Sequence, residues 1–387
     1  MSKIMALDNE NIANTYARFG KVIDHGKGAI CYDEEGNKLI DFTAGIGVNS
    51  LGFCDPTWVK AVSEQAAKLQ HVSNLYYSEP QVLLAKALTK KTGMAKVFFG
   101  NSGAEANECA IKAARKYGND KSGNTKNRII TLTNSFHGRT VATITATGQE
   151  EFHKSFFPFT GGFSYCPAGD IDALEKMIDE NTCAVMMEMI QGEGGVVVLD
   201  KKYVQKVAKL CAAKDVLLID DEVQTGIGRT GTFFAYEQFG IQPDIVTFAK
   251  GIGGGLPIGG ALFTEKTAGI LQAGDHGTTF GGNPVTCAGA LAVMSKMTPR
   301  FLASIEKKGS YIMSGLNKIQ GVYGIDGMGL MIGFKVFGKE PSDVAKECLK
   351  QGLLVLTAHD KVRLLPPLVI DFGSIDKGLK IISKVAE

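Results

Sequence analysis

Long hydrophobic runs are missing from this sequence. Stretches such as VVVL and VLLI fall far short of the roughly 20 residues needed to cross a bilayer, and their brevity suits buried strands instead. The N-terminal MSKIMALDNENIANTYARFG breaks its apolar positions with Asp, Asn and Glu before the apolar region of an export signal can form. A dominant charge is missing as well. The 42 Lys and Arg nearly cancel the 40 Asp and Glu, without a long block of one sign, which argues against nucleic acid and anionic membranes and for a small-molecule partner. Paired cysteines are absent: Cys31, Cys54, Cys109, Cys166, Cys183, Cys211, Cys287 and Cys348 stand singly, with no CxxC. Reduced thiols and a soluble cytoplasmic protein are the expectation. The six histidines show no HExxH or similar spacing, so no metal is expected and each histidine reads as a packing or surface residue. Internal repeats and low-complexity segments are also absent.

What is present is a chain of 387 residues, 44% hydrophobic, long enough for one large core and a smaller accessory unit. Near the start, AICYDEEGNKLIDF sets two strand-like runs around an acidic, Gly-containing turn and predicts a hairpin in an N-terminal arm. From about residue 55 to 285, helical segments alternate with the short apolar runs KVFFG, RIITLT, AVMMEMI, VLLIDD and DIVTFA, the pattern of a mostly parallel sheet covered by helices. The segment PVTCAGALAVMSKM predicts a long helix opening on Pro284. Beyond Pro299 the order helix, strands through VYGIDGMGLMIGFKV, helix, and the strand-like KVRLLPPLVI predicts a smaller α+β unit. The expected divisions are residues 1–54 as an arm contributing to the small domain, 55–298 as the large domain, and 299–387 as the small domain.

Ligands of open α/β sheets gather at the carboxyl ends of the strands, and four of these ends carry unusual chemistry. In KVFFGNSGAEANECAIKAARKYG a strand runs through Gly100 and Gly103 into a helix expected to end near Gly118, and Ser102 and Glu105 have capping-box spacing. Such a loop presents free amides and the positive end of a helix dipole, which suits a phosphate. RIITLTNSFHGRT ends with Phe136, able to stack on a flat ring, and Arg139, able to hold a carboxylate by two hydrogen bonds. VLLIDDEVQTG places two acids after a strand too apolar for the surface, and a buried carboxylate there requires a cationic or donor partner. DIVTFAKGIGGGLPIGG ends a strand on Lys250 beside glycines, where a partly desolvated amine becomes a nucleophile for an aldehyde. Singly these would be a helix cap, a core Phe beside a surface Arg, a capping acid and a solvated lysine. Together they are the parts needed to hold pyridoxal phosphate.

The chain resembles the class III, ornithine-type aminotransferases among the fold-type-I pyridoxal-phosphate enzymes. The likeness covers nearly its whole length and rests on HVSNLYYSEPQ, FFGNSGAEANE, FHGRT, QGEGGV, DEVQTGIGRTG, AKGIGGGLPIG and TTFGGNP, in that order. It implies that Lys250 carries the cofactor and shuttles the proton, and that Asp221 faces the pyridine nitrogen. By the same likeness Gln224 reaches the ring hydroxyl, and Phe136 and Val223 cover the two ring faces. Ser102, Gly103 and Ala104 would cradle the phosphate, completed by Thr279 of a second copy, so a homodimer is implied. Arg139 would hold the substrate carboxylate, Glu193 would face Arg363 in a pair that opens or closes, and Thr278 would lie near the amino donor.

The implied reaction transfers the δ-amino group of N2-acetylornithine to 2-oxoglutarate, as in arginine biosynthesis. Ornithine, succinylornithine, 4-aminobutyrate or succinyldiaminopimelate are the alternative donors. Two positions depart from the family pattern: Phe53 where a His is common and Met189 where a Pro often stands, with Phe53 expected to alter packing near the mouth of the site. A nicotinamide-dependent oxidoreductase fits less well, because GIGGG lacks the full GxGxxG spacing and the later acid. A non-catalytic binding protein would leave the joint presence of Lys250 and Asp221 without a purpose.

Overall fold

Short apolar strands separated by helices can bury both sheet faces, and the molecule is built this way. The computed structural model describes residues 2–387. Its central sheet has seven strands: β1 (Lys96–Gly100), β2 (Arg128–Leu132), β3 (Phe163–Cys166), β4 (Thr182–Met187), β5 (Leu217–Asp221), β6 (Ile245–Phe248) and β7 (Gly259–Phe263). Their spatial order is β1-β7-β6-β5-β4-β2-β3. All run parallel except β7, which is antiparallel to both β6 and β1. The link from Phe248 to Gly259 is too short for the crossover that parallel pairing requires, so β7 must return in the opposite sense. Its beginning therefore lies at the same rim as the ends of the other strands.

Five of these strands are the apolar runs anticipated above. The edge strand β3 and the returning β7 were not among them. In β3 only Cys166 is buried, and β7 reads GGALF, which continues the preceding glycine-rich stretch without a break in composition. The AVMMEMI run also divides, with β4 ending at Met187 and a separate two-residue strand at Ile190–Gln191.

The helix Gly103–Ser122 packs against the sheet through Cys109, Ala110, Ala113 and Ala114, whose small side chains allow a close approach. It continues past Gly118, where an end was expected, to Gly123, whose left-handed φ of 65° stops it. Gly118 serves packing instead: a Cβ there would lie 2.0 Å from the carbonyl of Lys126 and 2.7 Å from the Cβ of Cys183. The helix Pro284–Lys296 forms as anticipated, with Asn283 capping the amides of Val285 and Thr286.

A second sheet of four antiparallel strands, Val322–Met328, Met331–Val336, Lys361–Leu364 and Leu356–Ala358, is covered by the helices Pro299–Leu316 and Pro341–Lys350. The KVRLLPPLVI run is strand only through Leu364, because Pro366 and Pro367 cannot donate to a ladder. The anticipated hairpin pairs Ile30–Asp33 with Lys38–Asp41, and an earlier strand, Ile23–Lys27, adds to it. Leu353–Leu354 from the far end of the chain then pairs in parallel with Lys38–Asp41. Buried Arg229 joins the two sheets' surroundings, donating to the carbonyls of Leu330 (3.0 Å) and Pro366 (2.6 Å). Phe53 forms a bridge with Gly28 and packs over Gly26, within this N-terminal layer rather than on the wall of the cavity described next.

Candidate active site

The carboxyl ends of β1, β2, β4, β5 and β6 and the beginning of β7 surround a cavity of about 490 Å³. Ser102, Gly103, Ala104, Phe136, Arg139, Asp221, Val223, Gln224 and Lys250, named above from the sequence, all line it. Glu193, Arg363, Thr278 and Thr279 do not line that cavity directly.

At the end of β1, the Ser102 hydroxyl accepts from the Glu105 amide at 3.2 Å. The reciprocal half of a capping box does not form. Glu105 Oε2 instead accepts from the amide of Asn101 and from its Nδ2 at 2.9 Å, one residue earlier than the spacing suggested. Asn101 Nδ2 also reaches Thr278 Oγ1 at 3.1 Å. The amides of Gly103 and Ala104, in the first turn, have no acceptor within their helix and lie at the cavity. Gly103 has no room for a side chain, because a Cβ would come within 2.6 Å of Val223 Cγ1. Thr279 is exposed, outside the cavity.

Strand alternation decides which acid of the DDE run enters the site. Asp221 shares the face of β5 covered by the helix Gly103–Ser122, as Leu217 and Ile219 do. Its Oδ2 accepts from Asn107 Nδ2 (2.7 Å) and faces His137 Nδ1 (2.8 Å), and its Oδ1 accepts from the Val223 amide (3.1 Å). His137 is therefore neither surface nor mere packing, which corrects the expectation for the histidines. Asn107 and His137 were not anticipated: Asn107 lies inside a helix, and His137 stands at an anticipated strand end between the more conspicuous Phe136 and Arg139. The available signal was that Asn107 lies four residues after Gly103, on the same face of the helix.

Asp220 and Glu222 turn to the opposite face, so the run buries three acids rather than two. Glu222 accepts from the hydroxyl of Thr225 and, at 2.8 Å, from the Tyr236 amide, whereas neither oxygen of Asp220 has a donor. Burial pushes Asp220 well above the usual carboxylate range and Glu222 up to about 7. Because these folded values exceed the ordinary value of 4.5 for Glu222, the pair contributes stability fully at acid pH and loses it as pH rises through about 7. Unfolding by urea should accordingly show a steeper loss of stability between acid and alkaline buffer in the wild type than in Asp220→Asn, whose amide can donate to an ionised Glu222. Equal slopes would exclude a shared proton.

Lys250 follows β6 with φ at 46°, an uncommon value for a residue with a side chain and a form of local strain found at functional sites. Its side chain is half-buried and lines the cavity. Burial lowers the amine below the ordinary lysine range, and the charges of Glu193 and Asp221 oppose that shift without cancelling it. Glu188, just beyond β4, is buried too and was not anticipated. Its Oε1 accepts from the Phe136 amide (2.9 Å) and its Oε2 from the Gly192 amide (3.3 Å). Burial, and then the charge of Asp221, raises its carboxyl well above the usual range.

Arg363 and Glu193 meet at 2.5 Å from Nη1 to Oε1. Burial would raise Glu193, but the charge and hydrogen bond of Arg363 outweigh it and hold the carboxyl below its usual range. Gln224 joins the pair, accepting from Arg363 Nη1 at 2.9 Å and donating to Glu193 at 3.2 Å. Arg139 is exposed and pairs with no carboxylate among the described residues, with its guanidinium 4.7 Å from the Phe152 ring centroid and 5.8 Å from that of Phe136.

A family model described as aminotransferase class-III matches residues 12–386. The chain belongs to the class-III aminotransferases. It is 53% identical over 386 residues to the acetylornithine aminotransferase of Haemophilus ducreyi, covering 99% of this chain and 98% of that one. The ornithine aminotransferase structure from Toxoplasma gondii matches with a TM-score of 0.95 at 32% identity, covering 99% of this chain and 94% of that one. The N-acetylornithine aminotransferase structure from Stenotrophomonas maltophilia matches with a TM-score of 0.85 at 36% identity, covering 98% of each.

As a class-III aminotransferase the protein has the fold-type-I architecture and uses pyridoxal phosphate. The cavity's residues fit that group. Free amides at the start of a long helix suit a phosphate, a buried carboxylate suits a protonated ring nitrogen, and an amine of lowered basicity suits an aldehyde. Among the described residues no helix is long and apolar enough to cross a membrane.

Proposed function

We propose that this aminotransferase moves the δ-amino group of N2-acetylornithine to 2-oxoglutarate, giving N-acetylglutamate 5-semialdehyde and glutamate in the cytoplasm. The observation that carries this reading is the 53% identity, maintained along the whole chain, with a relative of that specificity. When bound, pyridoxal phosphate supplies an aldehyde that takes up an amino group and a conjugated ring that delocalises the electron pair left by breaking a C–H bond.

The chain's own residues do the rest. Lys250 would hold the cofactor covalently at rest. As a neutral amine, favoured by its burial, its Nζ takes the proton from the carbon bearing the transferred nitrogen and returns it on the far side of the transfer. Asp221 keeps the proton on the ring nitrogen, and Asn107 and His137 fix the angle of its carboxylate. Phe136 and Val223, both on the cavity wall, would confine the ring from its two faces. The amides of Gly103 and Ala104, with Ser102, bind the phosphate, and Thr279 of a second copy completes that cradle, an arrangement its exposed position allows. Gln224, bonded to both Glu193 and Arg363, would also reach the ring hydroxyl.

Arg139, exposed at the mouth with no carboxylate of its own, is free to hold that of the substrate. The closed Glu193–Arg363 pair presents little net charge to the acetylated arm of the donor. Opened, it frees Arg363 for the second carboxylate of 2-oxoglutarate. Thr278, bonded to Asn101, would lie near the donor's distal end.

Single half-reactions followed by cofactor absorbance test the assignment. The purified protein should be yellow, lose that band fastest with N2-acetylornithine among acetylornithine, ornithine, succinylornithine, 4-aminobutyrate and succinyldiaminopimelate, and regain it with 2-oxoglutarate. A faster response to another amine would transfer the assignment to that donor.

A further inference from the structure

Glu188 has no place in the scheme above, yet it is buried at the cavity wall and uses both carboxylate oxygens. Oε1 holds the amide of Phe136, at the end of β2, and Oε2 holds the amide of Gly192, the residue before Glu193. Gly192 is itself pressed onto Gln224, since a Cβ there would lie 2.4 Å from Gln224 Oε1. Gln224 in turn bonds both Glu193 and Arg363. One side chain thus ties the backbone under the aromatic cover to the backbone under the Glu193–Arg363 pair.

We infer that Glu188 is a positioning residue that fixes the Phe136 ring and the Glu193–Arg363 gate to one anchor, and so sets how well the enzyme tells its amino donor from glutamate. The inference deepens the functional reading above and rests on it for the gate. Two backbone donors facing one carboxylate make the acceptor character of both oxygens the essential property. Glutamine keeps one acceptor and turns an N–H toward the other amide. The shorter bond to Phe136 should retain the oxygen, leaving Gly192 opposed by a donor. The Glu193 segment then loosens, the closed gate loses its support, and Arg363 becomes more available to glutamate.

The two contacts can be read separately in the full-length protein. For Glu188→Gln, the ratio of half-reaction kcat/KM for acetylornithine over glutamate should fall roughly 10-fold, the loss expected of one buried hydrogen bond. The affinity of the apoprotein for pyridoxal phosphate, measured by fluorescence titration, should stay near that of the wild type. Glu188→Ala frees both amides, so cofactor affinity should also fall roughly 10-fold. Glu188→Asp, with two acceptor oxygens on a shorter stem, should recover part of the ratio. A Glu193→Gln control should lower the ratio by opening the gate directly.

If the Glu193→Gln ratio matched the wild type, the gate reading would fail and take the Gly192 half of this inference with it. If that control moved while Glu188→Gln did not, the Glu188 role alone would be overturned. Ratio and cofactor affinity falling together in every Glu188 variant, in step with melting temperature, would reduce Glu188 to a structural residue and overturn the inference as well.

Discussion

Lys250→Ala should leave a folded protein that binds pyridoxal phosphate without a covalent link, with turnover lower by at least roughly 1,000-fold, since one change removes both the nucleophile and the proton carrier. Among the described residues the Lys250 amine donates no hydrogen bond on which the fold depends, so its removal should leave the fold intact. Borohydride reduction followed by peptide mapping gives the sharper test. It should fix the cofactor on the Lys250 peptide in the wild type and nowhere in the variant. A label on another lysine, or turnover near normal, would remove Lys250 from the centre of the mechanism.

Asp221→Asn should have the next largest effect, a loss of roughly 100- to 1,000-fold in half-reaction rate, the range seen when a preorganised electrostatic group is deleted. Asparagine fills the same volume but cannot reproduce the same contacts. Three donors converge on the carboxylate, from Asn107 and His137 on one oxygen and Val223 on the other. Whichever way the amide is turned, its N–H faces another donor, and the ring nitrogen loses its anionic partner. Melting temperature should fall modestly while the cofactor band shifts. A variant whose half-reactions kept wild-type rates would show that the ring needs no negative partner.

Much of this centre could be read from the order of residues because it sits at strand ends. A run such as DIVTFAK or VLLIDD announces both the buried strand and the polar group that must follow it, and parallel topology brings such ends together at one rim. Residues that act from elsewhere were harder to find. Asn107 lies inside a helix, and His137 sits beside the more conspicuous Phe136 and Arg139. Glu188 follows a strand whose run continues into MI, masking the break at which the chain turns inward. The extra turn of helix beyond Gly118 was hidden for a related reason: a glycine required by the close approach of Lys126 looks, in one dimension, like a glycine that ends a helix. Strand β7 was missed because pairing partners on both sides, not its own composition, make GGALF a strand.

The parallel pairing of Lys38–Asp41 with Leu353–Leu354 bears on how the protein is made. During synthesis the first strands leave the ribosome long before their partner exists, and Arg363 emerges later still. The nascent chain can fold its seven-stranded sheet and assemble Lys250 with Asp221 while its amino-terminal strands remain unpaired on one edge. On the proposed reading, the substrate discrimination assigned to Arg363 would be the last property the growing polypeptide acquires, and a product stopped short of that strand would keep the amine and lack the Glu193–Arg363 pair.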